Sequence, residues 1–355
     1  MVDITSFSEA LTDSNKFTKR HLLLGNGFSI ACRPTIFTYG SLFEEADFST
    51  SPHLKNVFRA LKSTDFEKVI RTLENASAIL PHYSEELKGI SNQMQEDAAK
   101  LKDLLIHTVA NNHPEIPNQL TDEEFNLCRK FLSNFIGELN GGKIYTLNYD
   151  LLLYWTMMHL IEDDPNTIVL DTNDGFGRND DTEPEYVDWM SESNFGQRVY
   201  YLHGALHLFD SGPELQKYTW VNTGMPLLEQ ARLAMEEDKF PLFVAEGSSK
   251  QKLGKIKHSA YLHHCYKSFS SQMDKKGQCL FIFGHSLASN DAHILKKIEK
   301  GKVEKVYIGL YGSAAEDWNV SIIKAADGMI RRRPDRKGPL EINYFDTETA
   351  HIWSD

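Results

Sequence analysis

Short apolar runs recur along this chain, each ending at glycine or a polar cluster, and most are followed by a stretch with apolar residues at helical spacing. His21–Leu24, the run within Gly141–Asp150, Arg198–Phe209, Pro241–Ala245, Gln278–Phe283, Lys305–Tyr311 and Leu340–Phe345 read as strands. Between them, Phe28–Cys32, Leu151–Ile161, Lys257–Met273, Ala292–Ile298 and Asp317–Ala326 read as helices. Residues 1 to 20 read as a polar lead-in helix. This alternation predicts an α/β protein with a doubly wound, mostly parallel sheet, whose ligand site lies beyond the carboxyl ends of the strands.

The alternation is interrupted once. From about Pro52 to Leu139 the apolar period is helical throughout: Phe66, Val69, Ile70 and Leu73 follow the capping-box spacing Thr64-x-x-Glu67. Ser84 precedes a long stripe from Leu87 to Leu105, and Thr121-x-x-Glu124 precedes Phe125, Cys128, Phe131, Leu132 and Phe135. We therefore expect an inserted helical subdomain over 51–140 within an α/β domain of 1–50 and 141–355. Residues 163 to 197, rich in Asp, Asn, Gly and Glu, predict a long surface loop.

Composition narrows the function classes. At 355 residues with 41% hydrophobic and 25% charged content, the chain can bury a sizeable core. A formal net charge of −12 argues against direct nucleic-acid binding, which needs clustered cations against phosphates. The one basic run, Arg331–Arg333 with Arg336 and Lys337, reads as a solvated loop. Four scattered cysteines without a paired motif indicate neither a disulfide framework nor a zinc knuckle, and a reducing, cytoplasmic setting is expected. No stretch approaches the roughly 18 apolar residues of a membrane span.

The candidate chemistry sits at the ends of four strands: Gly25-Asn26-Gly27-Phe28-Ser29, Thr146-Leu-Asn148-Tyr-Asp150, Leu202-His203-Gly204 and Gly284-His-Ser286. In a parallel sheet they converge on one edge. A Gly-x-Gly turn opening a helix suits a phosphate, although Ile30 stands where the dinucleotide fingerprint has its third glycine. Asn148 can position a water or a ribose hydroxyl, Asp150 can accept from an amide, and His203 can take a proton near neutral pH. The plainer readings are an Asn–Asp pair capping the following helix and a buried histidine bonded to backbone. Asp291 is as well suited to a helix cap as to a nucleoside contact. His258, His263, His264 and His285 lack a carboxylate at ligand spacing, so no metal is expected.

In this order the motifs resemble the sirtuin and sirtuin-like NAD-binding fold, including bacterial sirtuin-like NAD hydrolases of antiphage defence. The resemblance covers 19–48 and 141–291. It implies a Rossmann-type domain in which Gly25, Gly27 and Ser29, with Asn26 and Phe28 between them, cradle the NAD pyrophosphate. It further implies that Asn148 and Asp150 hold the nicotinamide ribose and carboxamide, that His203 is the base, and that Gly284, Ser286 and Asp291 lie toward the adenosine. Zinc-binding cysteine pairs and the Gly-Ile-Pro-Asp-Phe-Arg segment of sirtuin deacylases are absent, which disfavours deacylation. The expectation is an NAD⁺ glycohydrolase, with NAD as substrate and no metal, gated by oligomerisation or a partner. A non-catalytic NAD or ADP-ribose sensor is the alternative.

Overall fold

The computed structural model describes residues 2–137, 141–159, 168–177, 186–190, 196–210, 215–218, 225–236, 239–245 and 247–354. Its first half runs β1 (Ile4–Thr5), α1 (Phe7–Asp13), β2 (Lys19–Leu24), α2 (Gly27–Cys32), α3 (Pro34–Phe37), α4 (Tyr39–Glu45), α5 (His53–Ala60), α6 (Phe66–Ile79), α7 (Lys88–Asn112), α8 (Asp122–Ile136), β3 (Ile144–Thr146) and α9 (Leu152–Met158). The second half runs β4 (Phe176–Gly177), β5 (Tyr186–Trp189), β6 (Val199–Tyr201), β7 (Gly204–Asp210), β8 (Leu215–Tyr218), α10 (Leu227–Glu236), β9 (Pro241–Phe243), α11 (Ser249–His258), α12 (Ala260–Met273), β10 (Gln278–Phe283), α13 (Ala292–Glu299), β11 (Lys305–Leu310), α14 (Asp317–Arg332) and β12 (Glu341–Asp346).

Seven strands form one sheet in the order β1-β12-β11-β10-β2-β3-β6, and every pairing in it is parallel. Setting aside the edge strand β1, the chain winds outward from β2 through β3 to β6, then returns to β10 and winds the other way. This is the 3-2-1-4-5-6 order of a Rossmann-like fold, with its switch point between β2 and β10. Helices cover both faces, which explains why β10 is buried at all six positions and reads as a continuous apolar run. The expected α/β architecture is therefore present, and among the described residues no helix is long and apolar enough to cross a membrane.

Several local expectations need correction. Arg198–Phe209 is not one strand: β6 ends at Tyr201, and β7 begins at Gly204, whose φ of +79° turns the chain into a second sheet. That sheet, order β4-β5-β8-β7-β9, is antiparallel and also takes Pro241–Phe243. A Cβ on Gly204 would lie 1.8 Å from the Leu242 carbonyl oxygen, so the corner requires glycine. Residues 257–273 divide at Ser259, whose side chain caps α12. Arg333, expected in a solvated loop, is buried and donates to the carbonyls of Gly338 (2.7 Å) and Val303 (2.8 Å).

The helical stretch between β2 and β3 has two parts. Helices α6 and α7 pack on each other, whereas α8, opened by the expected Thr121–Glu124 capping box, lies on the sheet with Phe131 and Phe135 against Phe283 and Phe281. Asp65, rather than Thr64, caps α6. The predicted surface loop 163–197 falls partly outside the described residues, and its described part contributes β4 and β5.

Candidate functional site

The four polar strand ends belong to adjacent strands, β10-β2-β3-β6, and all point to the carboxyl edge of the parallel sheet. At the switch point the two glycine turns touch. A Cβ on Gly27 would lie 2.5 Å from the Gly284 Cα, and one on Gly25 would lie 2.7 Å from the Gly284 carbonyl oxygen. Gly284 itself has φ +69°. The N–H groups of Gly25 and Gly27 donate to the carbonyls of Phe283 (2.9 Å) and Gly284 (2.8 Å), and those of Phe28 and Ser29 donate to Gly25 and Asn26. In this conformation the glycines therefore permit close backbone approach and bind the two turns together. The Asn26 side chain turns outward from them and donates to the Phe37 carbonyl at 3.0 Å.

Beside this contact lies a buried polar trio. Ser29 Oγ donates to Asp150 Oδ2 at 2.5 Å and accepts from Asn148 Nδ2 at 2.8 Å. Asp150 Oδ1 accepts from the Leu152 N–H at 3.0 Å, two residues on, while Leu151 takes the N-cap position of α9. Burial pushes the Asp150 carboxyl above its usual range, opposed by these two donors. The trio joins β2 to β3 from residues 119 and 121 positions apart.

His203, 2% exposed, follows β6 and meets not a backbone carbonyl but another histidine: its Nε2 lies 3.1 Å from His293 Nε2. Asp291 Oδ1 stands 3.9 Å from His203 Nε2, and Asp291 Oδ2 accepts from His285 Nε2 at 3.0 Å. The His285 tautomer follows from its surroundings, because its Nδ1 accepts the Leu287 N–H. Lys252 from α11, 1% exposed, links Asp291 Oδ1 (3.0 Å) to Glu67 Oε2 on α6 (2.9 Å). Asn290 also donates to Glu67, and Tyr149 reaches both Glu67 (3.3 Å) and the Val244 carbonyl (2.9 Å).

Burial holds both His203 and His293 neutral, the latter with its pKa down to about 4. Lys252 and His285 keep Asp291 ionised despite its burial, while burial raises the Glu67 carboxyl against the pull of Lys252. One ligand-type group is present among the described residues, and it comprises His203, Asp291 and His293. From the sequence no metal is expected, because His258, His263, His264 and His285 lack a carboxylate at ligand spacing; the fold brings His293 to His203. Lys252 and His293 were not singled out from the sequence, and Glu67 only as the end of a capping-box spacing. Only the Asp291-x-His293 spacing after Gly284-His-Ser286 could have drawn attention to His293.

Ser286 and Gly284 lie on the turn after β10, as expected, and Asp291 closes a short helical turn before α13. After β9, Ser248 caps α11 and Ser249 Oγ lies 3.3 Å from His293 Nδ1. A cleft of about 760 Å³ lies elsewhere, at the amino ends of the strands, lined by Lys16, Gly277, Lys302 and Leu340 among others. The polar groups at the carboxyl ends are instead packed against one another. The four cysteines are buried free thiols; burial raises those of Cys32 and Cys279 to about 12.

These features define an α/β protein of Rossmann-like topology with a buried serine, amide, carboxylate and imidazole assembly at its switch point. Residues 22–353 match the family described as Domain of unknown function (DUF4917), and the chain belongs to that family. No curated protein matches it.

Proposed function

We propose that the protein is an NAD⁺ glycohydrolase that cleaves the nicotinamide–ribose bond. The observation that carries this reading is the adjacency of the four motif-bearing strands β10-β2-β3-β6 around a 3-2-1-4-5-6 switch point. An open α/β sheet binds its ligand in the crevice beyond the carboxyl ends of its strands at such a point.

In the proposed reaction a water oxygen bonds to the anomeric carbon of the ribose as the glycosidic bond breaks. The bonding pair leaves with the nicotinamide nitrogen, and the water proton passes to His203. His203 is neutral and so has a lone pair to accept it; burial opposes the imidazolium that forms, and Asp291, 3.9 Å from its Nε2, favours it. Asn148 orients the water or a ribose hydroxyl, and Asp150 accepts from the carboxamide. Both would exchange their present bonds to Ser29 for bonds to substrate. Ser29, Asn148, Asp150 and His203 are all buried, so the dinucleotide reaches them only when covering elements move. That need supports gating by self-assembly or by a partner.

The mutual saturation of Ser29, Asn148 and Asp150 also favours a second reading, a non-catalytic NAD or ADP-ribose sensor. Nicotinamide release from NAD⁺ separates the two: the sensor binds nucleotide without product.

A further inference from the structure

We propose that His203, His293 and Asp291 form a binding site for a divalent transition-metal ion of the zinc type, with one coordination position left for water. The three ligand atoms lie within 4.8 Å of one another and come from two places in the fold: His203 just after β6, and Asp291 and His293 at the start of α13. Two donor atoms on a tetrahedral zinc ion stand ~3.3 Å apart, given bonds of about 2.0–2.2 Å. The observed separations, 3.1 Å between the imidazole Nε2 atoms and 3.9 Å from His203 Nε2 to Asp291 Oδ1, fall on either side of that value.

The surroundings match those of a metal ligand set. The two imidazole Nε2 atoms face each other at 3.1 Å across one shared hydrogen, and an ion between them takes its place. His293 then carries its hydrogen on Nδ1, where Ser249 Oγ lies 3.3 Å away to accept it. Asp291 is oriented by His285 on one oxygen and Lys252 on the other, as carboxylate ligands commonly are by outer hydrogen bonds. Lys252 does not cancel the attraction for a cation, because it is shared between Glu67 (2.9 Å) and Asp291 (3.0 Å) and the three groups together keep one negative charge. Two imidazoles and one carboxylate suit zinc, cobalt or nickel rather than magnesium or calcium, which prefer all-oxygen cages.

The site does not depend on NAD cleavage. A metal on His203 Nε2 would occupy the lone pair assigned to the base, so nicotinamide release is measured on chelator-treated protein and judged separately. The metal test uses the full chain, stripped by chelation and titrated with Zn²⁺ by calorimetry and with Co²⁺ by visible absorption. One equivalent of tight binding and the visible bands of four-coordinate Co²⁺ are expected. His293→Ala and Asp291→Asn should each weaken Zn²⁺ binding roughly 100-fold or more, beyond the 10–100-fold typical of outer partners. His263→Ala should leave it unchanged. Absence of stoichiometric binding, absence of the cobalt bands in the unmutated protein, or undiminished affinity in a folded His293→Ala variant would overturn the proposal.

Discussion

Replacing Lys252 by methionine tests whether the buried Glu67–Lys252–Asp291 bridge braces the helical layer over the site. Methionine follows the aliphatic stem of the lysine but removes the ammonium, leaving two carboxylates in a dry space. Glu67 keeps its bonds from Tyr149 and Asn290, and Asp291 keeps His285. Breaking one partner of a buried ion pair costs about 3–5 kcal/mol. Burial already raises the Glu67 carboxyl, so without Lys252 it takes up a proton, which limits the loss to roughly 3 kcal/mol at pH 7.5. A carboxyl whose folded pKa lies above its unfolded value destabilises the fold as pH rises past the unfolded value. The deficit of the variant relative to the parent should therefore shrink at pH 5. Urea unfolding followed by circular dichroism gives both numbers, and Glu67→Gln combined with Lys252→Met should recover part of the loss. A loss below about 1 kcal/mol at pH 7.5, or a double variant no more stable than the single one, would refute the bracing role.

Other expectations follow from the same contacts. Gly27→Ala should destabilise by about 3 kcal/mol or more, because its Cβ meets backbone at 2.5 Å, whereas Gly89→Ala in α7 meets nothing within 4 Å and should gain about 0.5–1 kcal/mol; thermal melting of the two variants checks the contrast. His21 and His113, buried with pKa values down to about 4, stay neutral in the fold while the unfolded chain protonates near 6.5. Stability should be full above pH 6.5 and fall by several kcal/mol, about 1.4 per pH unit per histidine, as pH drops toward 4; a flat urea midpoint between pH 7.5 and 5 would contradict this. His207 is buried between Tyr154 and Tyr201 with both ring nitrogens unpartnered among the described residues, so His207→Phe should be neutral or stabilising by about 1 kcal/mol, checked by its urea midpoint.

The parallel sheet was legible because burial on both faces makes Cys279–Phe283 of β10 and Leu22–Leu24 of β2 apolar runs and because each ends in a polar cluster. Their convergence followed from parallel pairing alone. The second sheet was not legible: β6 and β7 form one apolar stretch, and periodicity does not reveal that Gly204 turns it by a positive φ. Strands β4 and β5 span only two and four residues in an acidic region, too few for an alternating pattern to emerge. The charged bridge was hidden for a different reason. Lys252 lies 185 residues from Glu67 and 39 from Asp291, so no local spacing joins them. The Gly-x-Gly motif was visible, but in this conformation its glycines also answer to the close approach of Gly284, a contact that sequence spacing does not reveal.

Release of nicotinamide from NAD⁺ by the chelator-treated protein, across its separated assembly states, tests the central proposal most directly. The account predicts turnover in at least one state and its loss, with folding retained, in Asn148→Ala and His203→Ala. No turnover in any state, or undiminished turnover in those variants, would contradict it.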